Sequence, residues 1–255
     1  MPVWHAAAFT HRGRVRPANE DTVAIDGHVL TGDMTEPLVL TLANDICILM
    51  IGDGLGGHAR GALASRAVLD LLVADVDKLA DPATCAQAIQ NANDHLYALM
   101  QSQSDTVGMG STLVGAVLSP SQILAFNVGD SRLYLKTRDH LVRLSHDDVQ
   151  DCGTDASGHR ISHGITQALG GAEFPVPIHP HINADPALAL GETLLLCSDG
   201  ITDTVPDKVI QDVLSKAADP NAAVRHLAAR ALRAGGHDNL SLIVARLAET
   251  SDATD

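Results

Sequence analysis

The order of apolar runs along the chain is the feature that most restricts its fold. Short runs rich in branched apolar residues are typical of strands, and apolar residues recurring at helical spacing are typical of helices. The predicted strands lie at 3–9, 22–26, 38–43, 46–51, 111–118, 122–128, 131–136, 140–144, 178–183, 193–198 and 240–247. The predicted helices lie at 58–79, 83–103, 206–216 and 221–234.

This order reads strands, two helices, strands, two helices and a last strand. A doubly wound parallel sheet would need strands and helices in strict alternation. We therefore predict an α+β fold in which antiparallel sheets are flanked by helices. The four closely spaced strands between 111 and 144 have the spacing of an antiparallel meander. Pro82 suits the first turn of the second helix.

Charge and composition exclude several classes of function. The net charge of -14 opposes binding to nucleic acid and to anionic membranes, and no basic patch offsets it. No apolar run reaches the roughly 18–20 residues of a membrane span, and the N-terminal segment lacks the charge order of a signal peptide. The four cysteines form no C-x-x-C pair, which is typical of thiols in a reducing compartment. We expect a cytoplasmic monomer.

The loop "IGDGLGGHARG" (51–61) matches the G-x-G-x-x-G spacing of a dinucleotide-binding turn. Its context argues against nucleotide binding, because Asp53 places a carboxylate in the turn that would receive two phosphates. The loop also follows a strand within a series of strands, whereas the dinucleotide turn opens a βαβ unit. We therefore look for a different ligand.

Acidic residues recur at the ends of the predicted strands. Turn chemistry explains any one of them, but five such places in one chain indicate a shared cluster. The residues are Glu20, Asp21, Asp53, Asp130, Asp199 and Asp238. Clustered carboxylates repel one another, and divalent cations remove that conflict. Ligands that are all oxygen suit Mg²⁺ or Mn²⁺ rather than zinc, and Gly54 has no Cβ to keep its carbonyl from a metal.

These residues lie in motifs that together resemble the metal-dependent PP2C (PPM) family of protein serine/threonine phosphatases, in particular its bacterial branch. The motifs occur in the family's order and cover nearly the whole chain. They are "RVRPANED" (14–21), "GDGLGGHARG" (52–61), "GMGST" (108–112), "NVGDSRLY" (127–134), "LLLCSDGITD" (194–203) and "GGHDNLSLIVA" (235–245).

The resemblance implies a four-layer α-β-β-α sandwich, in which two antiparallel sheets are flanked by helix pairs and a centre of two Mn²⁺ or Mg²⁺ ions lies at one end. By position, Asp53 would bridge the two ions, and Asp199 and Asp238 would complete the first site. Glu20 and the Gly54 carbonyl would bind the second ion.

Three further residues take roles from the same resemblance. Asp130 would share a weaker third ion with Asp199, Asp21 would orient metal-bound water, and Arg16 would bind the substrate phosphate through its planar fork. With Arg16, the carboxylates Asp53, Asp199 and Asp238 make up the expected catalytic set.

The expected reaction is attack of a metal-bridging hydroxide on phosphoserine or phosphothreonine, without a covalent phosphoenzyme. The proton donor for the leaving group is open. Leu55 follows the D-G pair, where eukaryotic members often carry His, and a leucine cannot donate a proton. His58 and metal-bound water are candidates, while a capping or packing role fits His58 equally well.

We expect one phosphatase domain over 1–248, with a short irregular flap at about 145–165, and an acidic tail at 249–255. The flap contains His146, His159 and His163, for which a solvated loop is favoured over a metal-binding tract.

The family resemblance implies phosphorylated protein substrates and opposition to a bacterial Ser/Thr kinase. Two alternatives stay open: a catalytically weak binding module, and a phosphatase of anti-anti-sigma-type regulators. Retention of Asp53, Asp199 and Asp238 argues against the binding module.

Overall fold

Two six-stranded antiparallel sheets form the centre of the fold in a computed structural model that describes residues 2–57, 59–150 and 164–249. In order across sheet A, the strands are β11 (Leu141–Arg143), β10 (Arg132–Lys136), β14 (Thr193–Cys197), β15 (Leu240–Glu249), β1 (Pro2–His11) and β4 (Leu38–Leu42). Sheet B contains β13 (His181–Pro186), β9 (Gln122–Val128), β8 (Leu113–Leu118), β5 (Cys47–Gly52), β2 (Thr22–Ile25) and β3 (His28–Thr31). A small third sheet contains β12 (Leu169–Gly170), β7 (Gly110–Ser111) and β6 (Gly54–Leu55).

Helices cover the outer face of each sheet. α1 (Ala59–Ala74) and α2 (Pro82–Ser102) pack on sheet B, with short 3₁₀ helices at Val76–Ala80 and Ser104–Thr106. α3 (Asp199–Thr202), α4 (Asp207–Lys216) and α5 (Pro220–Arg233) pack on sheet A. Pro82 occupies the first turn of α2, as the sequence predicts. Asp81 caps the helix by accepting hydrogen bonds from the N–H groups of Ala83 and Thr84.

Three clusters of buried apolar side chains fill the spaces between these four layers. The middle cluster lies between the sheets and is built from aliphatic side chains such as Ala8, Leu49 and Ile243. The outer clusters join each sheet to its helices. The predicted α-β-β-α sandwich is therefore confirmed. Among the described helices, none is long and apolar enough to cross a membrane.

The first and last strands form the longest pairing of the fold. Pro2 lies opposite Glu249 and His11 lies opposite Leu240, so ten residue pairs join β1 to β15. This register brings the loop after β1, residues 12–21, beside the turn before β15. Glu249, the first residue of the predicted acidic tail, is the last residue of β15, and the rest of that tail lies outside the described residues.

The predicted meander between 111 and 144 is wrong in one respect. β8 and β9 form a hairpin in sheet B, whereas β10 and β11 form a hairpin in sheet A. The chain changes sheets at Gly129, whose φ of +98° is accessible chiefly to glycine.

The sequence reading also misses β3. Asp26 and Gly27 have φ values of 45° and 85°, and they join β2 to β3 as a two-residue hairpin turn. The stretch "DGHVLTGD" (26–33) contains this Asp-Gly signal, but we predict no strand between 26 and 38 from the sequence. The strand predicted at 178–183 is shifted to 181–186.

A substitution at Gly115 tests the packing of sheet B. It lies opposite Phe126, and a Cβ at Gly115 would overlap the Phe126 ring. Gly115→Ala should therefore lower the free energy of unfolding by about 1–3 kcal/mol through overpacking. Denaturant unfolding measures this loss, and Phe126→Leu added to Gly115→Ala should recover part of it. Gly164→Ala is the matched control, because no atom of the described residues lies within 4 Å of its added Cβ. Equal stability of the two single variants would contradict the packing account.

Candidate metal centre

The acidic residues predicted from the sequence converge at one end of the sandwich. Asp53 follows β5, Asp130 follows β9, Asp199 follows β14 and begins α3, and Asp238 precedes β15. A cleft of about 200 Å³ lies between these ends. Among the residues that line it are Arg16, Glu20, Asp53, Gly54, Leu55, Asp199, Asp238 and Asn239.

Asp130 and Asp21 do not line this cleft but border it. The negative charges of Asp130 and Asp21 both act on the Asp53 carboxyl group. The Asp21 side chain is 1% exposed, and its Oδ2 accepts a hydrogen bond from Ser198 Oγ at 3.0 Å. The structure therefore brings together all the described residues predicted for the site. His58 lies outside the described residues.

The pKa values of the buried carboxyl groups show that burial and mutual repulsion disfavour their ionised forms. Burial, followed by the charges of neighbouring aspartates, holds the pKa of Asp53 and of Asp199 well above the ordinary value. Burial raises the pKa of Asp130 to about 6, and that of Asp21 to about 6 as well. Without added positive charge, these groups resist ionisation together.

The surroundings of the buried carboxylate oxygens indicate whether the cleft can hold cations. Asp130 Oδ1, Asp199 Oδ1 and Asp21 Oδ1 are buried and, among the described residues, meet no hydrogen-bond donor. Burial of such oxygens lowers the stability of the fold unless a cation or a hydrogen-bond donor contacts them. The side-chain atoms that could ligate a metal in the cleft are oxygens, and oxygen ligands suit Mg²⁺ and Mn²⁺. The residues present therefore fit a divalent metal centre.

Thr112 holds the backbone of Asp53 in place. The Asp53 N–H donates to Thr112 Oγ1 at 3.1 Å, and the Thr112 N–H donates to the Asp53 carbonyl at 2.9 Å. Thr112 Oγ1 also lies 2.9 Å from Ser131 Oγ, beside Asp130. Thr112 lies in the motif "GMGST", where the sequence predicts only the start of a strand.

Asn239 is a second residue that the sequence reasoning missed. Its side-chain amide donates to the carbonyls of Arg12 and Ala18, at 3.1 and 2.9 Å, and accepts from the N–H of Glu20 at 2.8 Å. Its own N–H donates to Asp238 Oδ1 at 2.8 Å. One buried amide thus fixes the loop that carries Arg16 and Glu20 against Asp238.

Close approach of backbones explains the glycine at position 54. A Cβ on Gly54 would collide with the carbonyls of Gly61 and Glu20, and a Cβ on Gly61 would collide with the Glu20 carboxylate. From the sequence we predict for Gly54 only the close approach of its carbonyl to a metal. Packing of the turn against α1 is the reason that the structure gives.

Arg16 lies at the mouth of the cleft. Its Nη2 donates to Asp238 Oδ2 at 2.7 Å, and this hydrogen bond raises the pKa of the guanidinium. The side chain is half-exposed, so this cationic group is accessible to an incoming anion.

Part of the predicted flap lies outside the described residues, including His159 and His163. Of the part that is described, His146 packs against His181. Val149 forms an isolated bridge with Ile165. The described ends of this segment are therefore held by specific contacts.

Comparison with known proteins gives consistent matches. The family model for Protein phosphatase 2C matches residues 33–235. A serine/threonine phosphatase stp of Listeria welshimeri is 31% identical, with 94% of each chain covered. The serine/threonine protein phosphatase PstP of Mycobacterium tuberculosis is 32% identical over 94% of this chain and 44% of its own. The crystal structure of the PstP catalytic domain with two manganese ions has a TM-score of 0.77 at 29% identity, covering 98% of this chain and all of that one.

Asp199→Asn should separate stability from ion binding. Removing one charge relieves repulsion among the carboxylates, so the ion-free variant should melt no lower than the ion-free wild-type chain. The rise in melting temperature that Mn²⁺ gives the wild-type chain should be largely lost. Asp212→Asn is the matched control, because Asp212 is exposed on α4 near Lys216. A full Mn²⁺ effect in Asp199→Asn would contradict a role for Asp199 in ion binding.

The raised carboxyl pKa values also predict how stability depends on pH. Protons held by the folded cleft stabilise the ion-free chain below the ordinary carboxyl pKa of about 4, and that contribution is lost as pH rises through values near 6. Because Mn²⁺ binds the ionised groups, its effect on melting temperature should be larger at about pH 7.5 than at about pH 5. Scanning calorimetry with and without Mn²⁺ measures the difference, and equal shifts at both pH values would contradict the prediction.

Proposed function

The chain belongs to the protein phosphatase 2C family of serine/threonine phosphatases, and from that premise we propose how its cleft hydrolyses phosphoserine and phosphothreonine in proteins. The observation that carries the proposal is the set of buried Oδ1 atoms of Asp199, Asp130 and Asp21, which meet no hydrogen-bond donor among the described residues. Asp199 lines the cleft together with Arg16, and Asp130 and Asp21 lie beside it. This arrangement offers negative charge for cations and positive charge for a phosphate.

We propose that Asp53, Asp199 and Asp238 hold one divalent ion, and that Asp53 is shared with a second ion held by Glu20 and the Gly54 carbonyl. Asp130 and Asp199 would hold a weaker third. When bound, such ions supply Lewis acidity and an activated water for in-line attack on phosphorus. Thr112 and Asn239 keep the ligands in register through their contacts with Asp53 and Asp238.

Arg16 is the group proposed to bind the substrate phosphate. Its guanidinium can donate two parallel hydrogen bonds to one phosphoryl group, and a lysine cannot reproduce that fork. The bond to Asp238 positions the guanidinium at the cleft mouth before substrate arrives.

Asp21 is proposed to orient water from beneath the cleft. Ser198 donates to one of its oxygens, which fixes the carboxyl group, while the other meets no donor among the described residues. Its pKa of about 6 means that it is largely ionised, and so accepts hydrogen bonds, above that pH. Leu55 lines the cleft without a proton to give, so the leaving group takes its proton from His58 or from water.

We further propose that the enzyme opposes a bacterial Ser/Thr kinase and acts as a cytoplasmic monomer. Support for a reducing compartment comes from Cys47, Cys85 and Cys197, which are buried and unpaired.

Phosphate release from a phosphothreonine peptide tests the proposed activity. Turnover should require Mn²⁺ or Mg²⁺ and should stop when EDTA is added. Asp199→Asn should lose most of this turnover and remain folded, whereas Asp212→Asn should keep it. If the folded chain gives no turnover with any divalent ion, the binding-module interpretation replaces the enzymatic one.

Arg16→Ala should raise KM more than it lowers kcat, because the proposed role is binding of ground-state phosphate. Arg16→Lys should restore part of the affinity through its charge. Steady-state kinetics on the same peptide measure both constants. Arg66→Ala is the control, since Arg66 pairs with Asp70 on the exposed face of α1. A fall in kcat alone would instead place the role of Arg16 in the transition state.

A further inference from the structure

Two histidines and an aspartate form a cluster that shares no residue with the carboxylate cleft. One potential ligand atom from each of His146, Asp148 and His181 lies within 4.8 Å of the other two. His181 Nε2 is 2.8 Å from Asp148 Oδ1. The imidazole rings of His146 and His181 have centroids 4.6 Å apart and are tilted by 30°.

The Asp148 carboxylate is held from its far side. Its Oδ2 accepts hydrogen bonds from the Gly129 N–H at 2.8 Å and from Gln167 Nε2 at 2.9 Å. The Asp148 N–H donates in turn to the Gly129 carbonyl at 3.0 Å. These contacts leave Oδ1 directed to His181, which is how outer partners orient a ligating carboxylate.

Asn127 fixes the two histidines relative to each other. It is 1% exposed and lies opposite His181 in the pairing of β9 with β13. Its side-chain amide donates to the His146 carbonyl at 2.6 Å and accepts from the His146 N–H at 3.0 Å. The backbone of His146 is therefore set beside His181 by contacts that use neither imidazole ring.

We propose that His146, Asp148 and His181 bind a divalent ion of the zinc class, separate from the ions of the carboxylate cleft. Two imidazole nitrogens and one carboxylate oxygen suit Zn²⁺, Co²⁺ or Ni²⁺ better than Mg²⁺. With three ligands from the described residues, the fourth tetrahedral position is open to water. Ligand atoms around such an ion are separated by about 3.3 Å, given metal–nitrogen distances near 2.0–2.1 Å.

The cluster can reach that separation with one small adjustment. His181 and Asp148 are already close enough. The ligand atom of the exposed His146 lies within 4.8 Å of theirs, and rotation of this side chain would bring it nearer. An ion there would replace the hydrogen bond between His181 and Asp148 and would join β13 to the residues that follow β11. The site would lie next to Gly129, which precedes Asp130 in the chain.

Cobalt titration of the Mn²⁺-loaded enzyme tests the site. Four-coordinate Co²⁺ with imidazole ligands absorbs strongly in the visible range, whereas six-coordinate Co²⁺ with oxygen ligands absorbs weakly. We expect one equivalent per chain to give the strong spectrum, and Zn²⁺ to displace it. His146→Gln and His181→Gln should each weaken binding by at least the roughly 10–100-fold that loss of an outer-shell partner costs.

Two variants separate this site from the cleft. His179→Gln replaces an exposed neighbouring histidine outside the cluster and should leave the spectrum unchanged. Asp53→Asn alters the cleft and should also retain the spectrum. The melting temperature shows whether each variant folds. If His181→Gln does not fold, the Co²⁺ spectrum of His146→Gln alone tests the site. Absence of the strong spectrum, equal binding by His146→Gln, or its loss in Asp53→Asn would overturn the proposal.

Discussion

Repulsion among buried carboxylates is the constraint around which the rest of this molecule is organised. Burial and neighbouring charge together raise the pKa values of Asp53 and Asp199. A cluster of this kind lowers the stability of the ion-free fold, so the scaffold must hold the residues together against their own electrostatics. Cations that bind the ionised groups remove this repulsion, and the relief of repulsion adds to the affinity of the cluster for cations.

The scaffold meets this demand through apolar packing and through uncharged polar residues around the cleft. Three aliphatic clusters fix the four layers, and the strand ends that carry the acidic residues follow from those layers. Thr112 and Asn239 then set the final positions through backbone hydrogen bonds. The neutral polar residues around the cleft thus determine its geometry, while the charged residues determine its chemistry.

The sequence predicted the elements and the acidic residues well because both signals are local. Apolar periodicity located most strands and helices within a few residues, and each carboxylate stood at the end of a strand. The change of sheet at Gly129 was not predictable from spacing, since hairpins within one sheet and hairpins in two sheets have the same loop lengths. Asn239 and the cluster of His146 with His181 escaped notice because their partners are distant in sequence and meet only through tertiary pairing.

The pairing of β1 with β15 has a consequence for protein engineering. The pair Pro2 and Glu249 lies at one end of the ribbon and the pair His11 and Leu240 at the other, next to the cleft. Nine steps of about 3.4 Å place the two ends of the ribbon about 30 Å apart. A short linker between residues 2 and 249 would therefore permit a circular permutant opened in the hairpin between β10 and β11. In such a permutant β1 and β15 would become neighbours in sequence, while the cleft and every strand pairing stayed as they are.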